Sequence, residues 1–126
     1  MLFIVPAVLL VVALIHALPL VGVVGASKLL SLYGIAVQEP NLEILLRHRA
    51  VLFGLLAALL GYCAFQPALH RVGLVAGLVS VVSFLVFAQL VGGYNPSLAT
   101  VVRADLIAPV LLVIGGIVHL LRPSAA

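Results

Sequence analysis

Charge is scarce in this chain. Lys, Arg, Asp and Glu make up 7% of its 126 residues, where an ordinary soluble domain carries about 25%. With 66% hydrophobic residues beside so few charges, a soluble surface cannot be assembled, which argues against a water-soluble globular enzyme. The lone cysteine, Cys63, excludes an intrachain disulfide and reads as a small core residue rather than a reactive thiol. The six cations are spread along the chain instead of clustered, so a nucleic-acid footprint is absent. There is no Walker loop, GxSxG, CxxC or HExxH. The four histidines, each followed by residues other than x-Gly-His, also lack the HxGH motif of nucleotidyltransferases. No acidic residue falls at the middle of an apolar run, which argues against a proton-coupled exporter of the small multidrug type.

What is present is apolar length. A helix crossing a ~30 Å hydrocarbon core needs about 20 apolar residues at ~1.5 Å each. Four such stretches fit, near residues 2–25, 41–65, 72–94 and 100–121. The expected fold is therefore all-α, an integral membrane four-transmembrane-helix bundle forming one domain over residues 1–126. The first stretch imitates a signal peptide, but no cation precedes it, so it reads as a retained span. Pro6 and Pro19 lie inside it and remove backbone hydrogen bonds. The longest connection, 26–40, suggests a short interfacial helix ending at Gly34, with Lys28 and Tyr33 at headgroup level. Asn41 reads as the N-cap of span two, and Gln66-Pro67 closes it ahead of an antiparallel span three.

The cations divide between two ends. Lys28, Arg47, Arg49 and Arg103 share the end holding the first and third loops; Arg71, Arg122 and the terminal amine share the other. The positive-inside rule then puts the first and third loops in the cytoplasm.

In span two, Glu43, Arg47, Ala50, Gly54, Ala57 and Gly61 follow steps of 4, 3, 4, 3 and 4 residues and so occupy one stripe. Small residues along a stripe read as a packing seam, and Gly73 and Gly77 in span three and Gly115 in span four extend that reading. Arg47 lies about 9 Å into span two and Asp105 about 7 Å into span four from the same end. Glu43, Arg47, Arg49, Arg103 and Asp105 therefore form an expected polar cluster, with Arg47–Asp105 as its open contact. Its two readings are an ion cluster that fixes helix packing, and a site for an anionic head group or a proton path.

His16 and His48 lie about 12 Å and about 10 Å from that end. They are the one histidine pair placed to hold a haem or to bracket a ligand, whereas His70 and His119 sit near the opposite end. The spacing carries no haem signature, and no metal site is expected.

The run Leu32-Tyr33-Gly34-Ile35, then Pro40-Asn41-Leu42-Glu43-Ile44-Leu45-Leu46-Arg47-His48-Arg49-Ala50-Val51-Leu52-Phe53-Gly54-Leu55-Leu56, resembles small bacterial four-helix membrane proteins and, more distantly, the DoxX-like group. Some members of that group are linked to quinone-coupled sulfur oxidation or to larger membrane redox assemblies. The resemblance implies a bacterial inner membrane and marks Glu43, Arg47 and Arg49 as the characteristic polar positions of span two. The leading functional expectation is a non-catalytic accessory, assembly or oligomerising subunit, with the lipid bilayer and other membrane subunits or copies of itself as partners. A quinone- or haem-associated redox subunit and a small oligomeric channel or transporter are the alternatives.

Overall fold

The computed structural model describes residues 2–122, so Met1, whose amine was counted above, and residues 123–126 lie outside it. Among the described residues there is no strand. The helices are α1 (Ile4–Ala17), α2 (Ala26–Tyr33), α3 (Pro40–Ala64), α4 (His70–Val91), α5 (Pro96–Asp105) and α6 (Ile107–Leu121). Short 3-10 segments, Leu18–Val24 and Pro67–Leu69, continue α1 and lead into α4. Four stretches are long and apolar enough to cross a membrane: Ile4–Val24, Pro40–Ala64, Pro67–Val91 and Pro96–Leu121.

The first span is the centre of the bundle. A third of it (33%) is buried, against 11–17% for the others, because α1 packs on α3, α4 and α6 together. Val5, Val8, Leu9 and Val12 recur at helical spacing and meet Leu60 and Cys63 of α3, Leu74 of α4 and Leu112 of α6. A second, smaller core forms where Leu29, Tyr33 and Val37 pack beneath Leu46, Leu98 and Val101.

Local chemistry sets the element ends. α3 starts one residue before the expected site, at Pro40, and its cap is Glu39 instead of Asn41. The Glu39 carboxylate accepts from the backbone N–H of Asn41 and of Leu42, both at 3.0 Å. Those two N–H groups point out of the helix start and need an acceptor. They hold the Glu39 carboxyl below its ordinary range. Gly34 closes α2 at φ 66°, and an added Cβ there would meet Asn95 Nδ2 and Ser97 Oγ at 3.0 Å. The contact exists because Asn95 caps α5 through the Leu98 N–H (2.8 Å) while its amide donates to the Tyr33 carbonyl (2.8 Å), tying the first loop to the third.

Tyr33 itself turns inward and is buried. The small second core draws its ring inside. Pro6 falls in the first turn of α1, where its missing N–H has no partner to lose, so only Pro19 interrupts the span.

The expected packing glycines divide. A Cβ on Gly73 would lie 2.9 Å from Cys63 Cβ and 3.0 Å from Leu9, on Gly77 3.3 Å from Leu112, and on Gly115 3.2 Å from Leu74. Gly54 meets only the flexible end of Leu20, at 2.7 Å. Gly61 is the correction: nothing lies within 4 Å of its Cβ position. The buried face of α3 at that level is Leu60, Cys63 and Ala64, and Gly61 is rotated off it.

Two measurements test these assignments. Gly73→Ala is expected to lower unfolding stability in detergent by about 1–3 kcal/mol through overpacking, whereas Gly61→Ala, into open space, should be neutral or stabilising by up to about 1 kcal/mol. Because folding lowers the Glu39 pKa, its contribution is present above the ordinary carboxylate value, 4.5, and is lost as pH falls through the lowered value. Glu39→Gln should therefore melt below the parent near neutral pH, with the two curves converging in acid, as followed by helical circular dichroism.

Candidate functional site

The bundle opens where two of its spans are irregular. Proline has no N–H to bond the carbonyl four residues back, and its ring crowds that carbonyl. Pro109 faces Asp105 in this way, and the fourth span breaks at Leu106, between α5 and α6. Pro19 does the same to Ile15, and α1 tightens into the 3-10 segment from Leu18. A cavity of about 210 Å³ lies between the two breaks, walled by Ile15, His16 and Pro19 on one side and by Ala104 and Asp105 on the other. Tyr33 from α2, Arg49 and Phe53 from α3, and Ser80 and Phe84 from α4 complete it.

Arg49 is the organising charge of this cavity. Its Nη1 donates to the Tyr33 hydroxyl at 2.9 Å. The guanidinium carbon lies 4.5 Å from the Phe53 ring centroid, 5.6 Å from that of Tyr33 and 5.9 Å from that of Phe84. A delocalised cation over a π-face gains about 0.5–2 kcal/mol, more when water is excluded. Three rings around one guanidinium therefore hold it in place while leaving N–H groups directed elsewhere.

His16 is 3% exposed and fully engaged. Its Nδ1 lies 2.8 Å from the Val12 carbonyl, which can only accept, so Nδ1 carries the proton. Nε2 is then the acceptor for the Ser80 hydroxyl at 2.9 Å. Phe53 packs on the ring at 5.8 Å. Asp105 lies on the same wall and forms no salt bridge among the described residues.

A groove of about 500 Å³ on the outer face between α3 and α4 shares Arg49, Phe53, Ser80 and Phe84 with the cavity and runs on past Leu52, Leu56 and Phe87. The Arg49 clamp thus stands at the junction of an inner chamber and a lateral, apolar channel.

The expected polar cluster is split by this geometry. Arg49 and Asp105 come to the cavity; Glu43, Arg47 and Arg103 do not. Arg47, exposed, donates from Nε to the Val23 carbonyl (2.9 Å) and pairs with Glu43 at 3.7 Å, so the Arg47–Asp105 contact is not made. Residues 47 and 49 differ by about 200° around a helix, and α1 packs against the side that carries Arg49. Arg103 turns outward to Thr100 Oγ1 at 3.2 Å.

His48 is exposed and absent from the cavity, one residue and about 100° from Arg49. It cannot pair with His16, whose two nitrogens are both taken, so a haem held by His16 and His48 is not supported. Among the described residues no group of three or more His, Cys, Asp or Glu side chains is close enough to hold a metal ion. Tyr33, Phe53, Ser80 and Phe84 were not foreseen as site residues. The pairing of Arg49 with Phe53 one turn later, and a serine in the middle of span three, were the available signals.

The chain matches no protein-family profile, no curated protein and no solved structure. The site's geometry is therefore the ground for a functional reading.

The rearranged cluster has a measurable signature. Arg49→Met and Tyr33→Phe should show a coupling of about 1 kcal/mol in a double-mutant cycle of detergent unfolding. Arg47→Ala and Asp105→Ala, which share no partner, should add within about 0.5 kcal/mol.

Proposed function

We propose that this chain is an integral membrane protein of the bacterial inner membrane that binds a lipophilic molecule with a flat, hydrogen-bonding head group, of the quinone class. It would serve as a quinone-associated subunit of a membrane redox assembly. The observation that carries this reading is the Arg49 clamp at the junction of cavity and groove. A quinone needs a slot for a ring, a donor for a carbonyl oxygen, and an apolar path for a tail. The cavity supplies the slot, walled by Phe53 and Phe84. Arg49 supplies N–H donors in a largely apolar setting, and the α3–α4 groove supplies the path.

Volume argues against haem and for a head group. Drug-sized ligands occupy pockets of about 300–1,000 Å³, and about 210 Å³ suits one ring with its tail outside. The likeness of span two to the DoxX-like group, with its links to quinone-coupled oxidation and redox assemblies, points the same way. A purely accessory role is the second reading, and Gly61 and Gly116, open on the outside of α3 and α6, favour it by letting a neighbouring helix approach.

Native mass spectrometry of protein extracted in mild detergent, followed by organic extraction, tests both. The expected result is a co-purifying quinone that Arg49→Gln weakens by about tenfold or more, the loss of a charge-assisted hydrogen bond, with the helical melt retained. Full retention of quinone by Arg49→Gln would overturn the site. Recovery within a larger assembly that holds no small molecule would favour the accessory role.

A further inference from the structure

The opposite end of the bundle carries a different arrangement. All three acidic side chains of the chain, Glu39, Glu43 and Asp105, belong to the end that holds the cavity. The end where α4 starts and α6 finishes has Arg71, His70, His119 and Arg122 and no carboxylate side chain. Arg71 is exposed and makes no hydrogen bond or ion pair among the described residues. A cation at the edge of a hydrocarbon layer, with no counter-charge among the described residues, attracts an anion from its surroundings.

Beneath Arg71 lies a groove of about 430 Å³ between α4 and α6, with Arg71 and His119 at its head. Leu74, Leu78, Val113 and Ile117 make its walls. Its residues on α6 run from Leu112 to Leu120, which is about 12 Å of helix. One leaflet of hydrocarbon is about 15 Å deep, so the groove matches the upper part of a single acyl chain. Gly116 lines it and has nothing within 4 Å of its Cβ position, which leaves the channel unobstructed midway.

We propose that this groove is a binding site for an anionic phospholipid, its phosphate on Arg71 beside His119 and one acyl chain along α4 and α6. The proposal needs the chain to lie in a bilayer but is independent of the quinone cavity, which shares no residue with it. The cationic head and the apolar, leaflet-deep floor match the two halves of one such molecule.

The test is native mass spectrometry of detergent-purified protein titrated with phosphatidylglycerol or phosphatidylcholine. Phosphatidylglycerol should bind at least about fivefold more tightly, and Arg71→Gln should remove that preference, the effect of one cation near a lipid surface. Gly116→Leu fills open space, so the bundle should melt as the parent does while losing both lipids from the site. Equal binding of the two lipids by the parent, or an unchanged preference in Arg71→Gln, would overturn the proposal. So would a concentration-dependent dimer that Gly116→Leu abolishes with no change in lipid binding, since a second copy would then occupy the groove. Quinone retention, read in the same spectra, reports on the cavity separately.

Discussion

Pro19 and Pro109 each deny a spanning helix one backbone N–H, and the cavity lies where those two gaps meet. The break leaves Leu106 and Ile107 exposed, and Asp105 just before it is the one acidic side chain that reaches the cavity. The 3-10 stretch after α1 brings Pro19 to the same chamber, one turn beyond His16. Without these interruptions, spans one and four would continue as regular helices and pack along their length, as α1 and α6 do lower down.

The buried polar groups then arrange themselves around full hydrogen bonding where it can be had. His16 donates a hydrogen bond to the Val12 carbonyl and accepts one from the Ser80 hydroxyl, which links α1 to α4 through the middle of the bundle. Arg49 is held instead by three aromatic faces and one phenol. Hydrogen-bond capacity remains on its guanidinium, and a site built to receive a ligand needs that remainder. A fully satisfied arginine would only be structural.

Charge is also divided along the bundle axis. Every carboxylate side chain lies with the cavity, and the far end is cationic. At the cavity end Glu43 pairs with Arg47, and Arg49 and Asp105 line the same chamber. At that far end His70 and His119 meet edge to face with ring centroids 6.5 Å apart, each with a buried Nδ1 that has no hydrogen-bond partner among the described residues. His70 takes only the Ala64 carbonyl, at 3.2 Å.

Much of this architecture was legible from residue order. Apolar length located the four candidate spans, and Gly34 and Gln66-Pro67 marked two of their joints, because length and turn chemistry are local properties of the chain. Depth along each helix was legible too, since rise per residue is constant. What only the tertiary structure decided was rotation about the helix axes. Arg47 and Arg49 share a depth but face opposite ways, and the packing of α1 against α3 chose Arg49 for the cavity and left Arg47 and His48 outside. The rotation of α3 also left Gly61 off its buried face, and the small second core drew Tyr33 inward. A helix with apolar residues on all sides has no preferred face of its own, so the partner it packs against assigns one.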